Sequence, residues 1–98
     1  MTFEKREEII ELYDTYGLLL TDKQKAYFES YYFDDLSITE IASNLGVSRN
    51  AVFDQLKRVS QILLDYEEKL KLVRKTDEIK KLSLDEALKE EILNILKE

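Results

Sequence analysis

Two glycines and no proline among 98 residues leave this chain almost without turn chemistry. Tight hairpins depend on Gly, Asn or Pro at fixed turn positions, so a run of short strands joined by such turns is excluded. Apolar residues recur instead at helical spacing, and the predicted fold class is all-α. The same scarcity rules out a glycine-rich phosphate loop. With no Cys and no His, the chain also lacks disulfides, thiolate nucleophiles, the common zinc ligands and the usual general base. The expectation is a protein that is not an enzyme and takes no cofactor and no metal. Its acidic start, MTFEKREEIIELYD, lacks the apolar core of a signal peptide, and no apolar run approaches the ~18 residues of a membrane span. A cytoplasmic protein with no membrane partner is therefore expected.

Polar residues mark where helices begin. A first helix is predicted over 3–16, with Ile9, Tyr13, Tyr16 and Leu20 along one face and Gly17 ending it. Thr21-Asp22-Lys23-Gln24 has the form of a capping box, in which the Thr hydroxyl and the Gln side chain satisfy each other's backbone N–H groups. It opens a second helix over 21–33 that holds the aromatic run Tyr27, Phe28, Tyr31, Tyr32 and Phe33. Glu29, Asp34 and Asp35 sit among and after those rings and oppose RNA phosphate, so the run reads as core. Ser37-Ile38-Thr39-Glu40 opens a short third helix ending at Gly46, and Ser48 caps a fourth. No breaker interrupts 48–75, which predicts an unusually long fourth helix of ~27 residues, followed by a polar linker over 76–83. Ser83-Leu84-Asp85-Glu86 opens the last helix. The acid pairs Glu67-Glu68 and Glu90-Glu91 diverge by ~100° on a helix and read as solvated surface.

Residues 37–59, SITEIASNLGVSRNAVFDQLKRV, carry the informative spacing. A helix-turn-helix needs a small residue where its helices touch, a left-handed Gly at the turn, and apolar residues locking the pair. Ala42 and Gly46 meet the first two needs, and Ile41, Leu45, Val47, Val52 and Leu56 are predicted to form the lock. Ser48 then caps a second helix whose first turns would face a major groove.

From about 18 to 64 the chain, through LLTDKQKAYFESYYFDDLSITEIASNLGVSRNAVFDQLKRVSQILL, resembles region 4 of bacterial sigma factors. End to end, and notably in SRNAVFDQLKRVSQILLDYEEKL, it resembles the YlxM family of small DNA-binding proteins of Gram-positive bacteria. The resemblance implies a sigma-region-4-like helix-turn-helix of the winged-helix-like DNA-binding superfamily, with a C-terminal helical extension. Genes of that family lie beside those of the signal recognition particle GTPases. This implies a regulatory or accessory part in that pathway, with duplex DNA or a component of the particle as partner. The alternative is an adaptor that binds a protein or the RNA of the particle and uses the helix-turn-helix only as scaffold.

In the sigma-like reading the recognition helix offers Ser48, Arg49, Asn50, Asp54, Lys57 and Arg58 to DNA. Arg pairs with guanine, Asn with adenine, and Arg or Lys with phosphate. Asp54 and Phe53 depart from the sigma pattern, where an uncharged polar residue and a basic one are usual. Charge is unevenly placed. The chain carries −6, whereas residues 36–60 have three basic residues against two acidic ones. Lys69, Lys71, Arg74, Lys75, Lys80 and Lys81 form a richer basic cluster that reads as a solvated helix face.

One domain is expected, a core over 1–64 with an extension over 65–98. Phe53, Ile62, Tyr66, Leu70, Val73, Leu84, Leu88, Ile92 and Ile95 remain as apolar surface that one small monomer would not cover. They predict a homodimer interface.

Overall fold

The computed structural model describes residues 6–82 and 85–97. Within them the chain is helical throughout: α1 (Arg6–Tyr16), a 3-10 turn (Gly17–Leu19), α2 (Asp22–Tyr32), α3 (Ile38–Leu45), α4 (Arg49–Leu70), α5 (Leu72–Lys80) and α6 (Glu86–Lys97). No strand occurs among the described residues, and none of their helices is long and apolar enough to cross a membrane.

The expected caps operate. Thr21 Oγ1 accepts from Gln24 N at 3.1 Å while Gln24 Oε1 accepts from Thr21 N at 2.9 Å. Ser37 and Glu40 repeat the exchange at 3.0 and 3.1 Å. Each box satisfies two backbone donors that a helix start otherwise leaves open. The box expected at the last helix has Ser83 outside the described residues; Asp85 Oδ1 accepts from Ala87 N there at 3.0 Å.

α4 is the spine, and two apolar clusters lie along it. Toward its N-terminal half, Val52 and Leu56 pack with Ile41, Ala42 and Tyr27, joining α3 and α2. Farther along, Val59 and Leu63 pack with Ile9, Leu12, Tyr16, Leu20, Phe28 and Tyr32, joining α1 and α2. Leu12, absent from the predicted face of α1, is buried, whereas Tyr13 is half-buried and stacks on Phe28 with ring centroids 4.2 Å apart. Arg6 closes the α2–α3 loop: its guanidinium donates to the Tyr32 carbonyl and to Asp35, and lies 5.6 Å from the Tyr32 ring centroid.

The long fourth helix is shorter than its sequence predicts. It stops at Leu70 because Lys71 turns left-handed, with φ 55° and ψ 33°. Residues 76–80 of the expected linker belong to α5, which runs from Leu72 to Lys80. The cause is tertiary. Tyr16 Oη, on α1, donates to Glu67 Oε1 at 2.5 Å and accepts from Leu72 N at 3.0 Å. The Glu67 carboxylate also accepts from Val73 N and Arg74 N, each at 3.1 Å. Three open donors at the start of α5 are thereby satisfied by side chains from α1 and α4. This folds the chain back, so Val73 joins Ile62 and Tyr66 of α4 in packing against the core of its own chain.

Candidate nucleic-acid interface

The helix-turn-helix is assembled from α3 and α4. Gly46 takes φ 67°, ψ 34°, and its N–H donates to the Ala42 carbonyl, which also accepts from Val47 N at 3.1 Å. That left-handed turn costs an L-residue with a Cβ about 1–2 kcal/mol, which Gly avoids. Ser48 Oγ then accepts from Ala51 N at 3.0 Å and starts α4. The inner contact consists of Ile41, Ala42, Val52 and Leu56, all buried. Leu45 and Val47, predicted as part of the lock, are instead 52% and 39% exposed. They lie on either side of the Gly46 turn, where the chain passes over the surface rather than between the helices.

At ~100° per residue, α4 carries Asn50, Asp54, Lys57 and Gln61 along one line at i, i+4, i+7 and i+11. All four are exposed and lie opposite the buried stripe of Val52, Leu56, Val59 and Leu63. Arg49 and Arg58, both exposed, flank the line on its two sides. Phe53 sits half-buried beside Arg49. Among the described residues no ion pair engages Arg49, Lys57 or Arg58, so their charges are available to an anion. The stripe thus holds an Asn amide, an ammonium and two guanidiniums within about 17 Å of helix, interrupted by one carboxylate, Asp54. Gln61 is the member that sequence reasoning passed over; its Nε2 donates to Asp65 Oδ1 at 2.9 Å. Its signal was the continued i+4 spacing from Lys57.

The other predicted surface residues divide. Leu70, Leu88 and Ile95 are 44%, 43% and 70% exposed. Ile92 is half-buried, and Leu84 lies outside the described residues. No group of His, Cys, Asp and Glu able to hold a metal ion occurs among the described residues.

A buried helix pair joined through a left-handed Gly, with a capped second helix presenting polar and basic side chains outward, defines a helix-turn-helix protein. The comparisons place it further. Residues 3–97 match the family described as "Putative helix-turn-helix protein, YlxM / p13 like", UPF0122, and the chain belongs to it. It is 50% identical over 82 residues to a UPF0122 protein of Bacillus licheniformis, covering 84% of this chain and 77% of that protein. A UPF0122 protein of Bacillus pumilus is likewise 50% identical, over 84% of this chain and 74% of its own length. The Streptococcus gordonii member is 53% identical over 70 residues, which is 71% of this chain and 64% of that protein. The match therefore spans less than two thirds of the streptococcal relative.

Proposed function

We propose that this protein is a regulator that binds duplex DNA as a homodimer, with the first three turns of α4 in the major groove. The observation that carries this reading is the exposed stripe of Asn50 and Lys57, flanked by Arg49 and Arg58, on a helix that follows the Gly46 turn and is capped by Ser48. In this reading Arg49 and Asn50 contact base edges, Lys57 and Arg58 contact phosphate, and Ser48 holds the helix start. Asp54 accepts from a cytosine amino group or disfavours the other bases. The family it resembles suggests service in the signal recognition particle pathway, within the cytoplasm. Phe53, Leu70, Leu88, Ile92 and Ile95 remain as the apolar surface for the dimer.

Asp54 favours a second reading, since a carboxylate at the centre of the stripe weakens any phosphate contact. In it the helix-turn-helix is a scaffold, and the protein is an adaptor for a protein or RNA of the particle. A gel shift of the purified protein against its own upstream DNA at two salt concentrations separates the two. The regulator gives a shift at low salt that weakens as salt rises, with a log–log slope of about −2 per protomer for the two cations, Lys57 and Arg58, that reach phosphate. Arg49→Ala/Lys57→Ala is expected to lower affinity about tenfold or more. No shift at low salt, or equal binding by the double variant, sinks the DNA reading.

A further inference from the structure

Away from the helix-turn-helix, a cleft of about 570 Å³ opens between α1, α5 and α6, with Leu18, Leu93 and Leu96 among its lining. That volume lies within the range of sites that accept several side chains or a small ligand. Leu18 stands at 89% exposure on the 3-10 turn, an unusual position for a leucine beside an open cleft. Along α1, Glu7, Glu11 and Asp14 fall at i, i+4 and i+7, and Leu18 continues the line at i+11. All three carboxylates are exposed, and no ion pair among the described residues engages them. Glu11 and Asp14 line the cleft from α1, and Lys80 and Lys97 line it from α5 and α6. Partial burial, and then the carboxylate of Asp77, push the Glu11 carboxyl above its usual range, while Lys80 opposes the shift.

We propose that this cleft and the α1 ridge together dock a basic amphipathic helix from a partner protein. Its leucine-like side chains seat on Leu18, Leu93 and Leu96, and its Lys or Arg residues, at matching i, i+4, i+7 spacing, meet Glu7, Glu11 and Asp14. An unpaired row of like charges is relieved by incoming cations, and the leucines lining the cleft supply the burial that surface ion pairs alone do not. Nucleic acid does not fit, because its phosphates would meet the carboxylate ridge. The α6 helix of a second copy fits poorly, since it carries Glu86, Glu90 and Glu91.

The test uses the full chain and a fluorescently labelled synthetic Leu/Lys amphipathic helix, with a Leu/Glu version of identical pattern as control. Anisotropy is expected to rise with the Leu/Lys peptide and to stay flat with the Leu/Glu one. Glu11→Gln/Asp14→Asn is expected to weaken binding about fivefold and to lessen its salt dependence. Leu18→Ser should weaken it about tenfold. These positions are exposed, and unchanged circular dichroism verifies that each variant folds. Arg49→Ala/Lys57→Ala should bind the peptide normally, so this result stands apart from the outcome of the DNA experiment. The proposal is overturned if the Leu/Lys peptide does not bind, or if the cleft variants bind it as the wild type does. It is also overturned if Leu18→Ser dissociates a dimer, which would make a second copy the occupant.

Discussion

Gly46 and Lys71 take nearly the same left-handed backbone, with φ 67° and φ 55°, at the ends of α3 and α4. One is a residue that adopts this region freely; the other carries a Cβ and a long side chain. Opposite substitutions should therefore have opposite effects. Around Gly46 no atom lies within 4 Å of the Cβ position, so Gly46→Ala meets backbone strain without a clash. The strain of about 1–2 kcal/mol is partly offset by the lower entropy of the unfolded chain, and a net loss of about 1 kcal/mol is expected. Lys71→Gly relieves the same strain, less the entropy of a new glycine, and should gain about 0.5 kcal/mol. Urea unfolding of the two variants beside the wild type checks both signs. Gly46 was legible in the sequence because a glycine at a turn announces its own conformation. Lys71 was not, because nothing about a lysine among other helix formers marks a break.

What makes the break lies at the scale of elements. Tyr16 and Glu67 are 51 positions apart in sequence, and Tyr16 and Leu72 are 56 apart. Local pattern carries no trace of a helix start capped by a distant tyrosine, so a capless run over 48–75 reads as one helix. The short-range caps at Thr21, Ser37 and Ser48 could be read because donor and acceptor lie three residues apart. Tyr16→Phe should then cost about 1–2 kcal/mol, because it leaves Leu72 N without its acceptor and removes one of the three donors to the Glu67 carboxylate. Amide exchange should quicken in α5 and α6 ahead of α3 and the first half of α4. The latch also gives the fold an alkaline limit. Burial, and then the bond to Glu67, push the Tyr16 hydroxyl up to about 12. Burial, and then Tyr31, push Tyr32 up to about 12 as well. Unfolding restores both to about 10, so the unfolded chain holds fewer protons between these values. Stability from these two groups is complete below pH about 10 and falls steadily as pH rises toward about 12. Tyr16→Phe should flatten that fall in an alkaline denaturation series, while leaving stability near neutral pH lower than in the wild type.

At the scale of the molecule, the principal extents are 51 × 23 × 22 Å and the radius of gyration is 15.9 Å. A compact domain of this length would have a radius of gyration of about 13 Å, so the molecule is elongated, with α5 packed on α1 and α6 packed on α5. Neither α5 nor α6 holds a fully buried residue. Part of the surface expected to pair two copies is already used within the chain, by Ile62, Tyr66 and Val73. Leu88 and Ile95, at i and i+7 on α6, remain exposed with Leu70 at the end of α4. Covering that stripe with a second copy would remove a long apolar edge from water and stabilise α6 in both copies. The wild type is therefore expected to sediment at twice 11.6 kDa at micromolar concentration, and Leu88→Lys/Ile95→Lys at 11.6 kDa. The same variant bears on DNA. A dimer presents two copies of the α4 stripe, whose half-sites would lie about 34 Å apart or a multiple of it. Its salt slope should approach about −4, against about −2 for a protomer with the same two phosphate-contacting cations. Halving the slope by a change on α6, with Arg49, Lys57 and Arg58 untouched, would tie α6 to DNA binding through assembly alone. An unchanged slope and an unchanged mass in that variant would mean that α6 does not pair the copies.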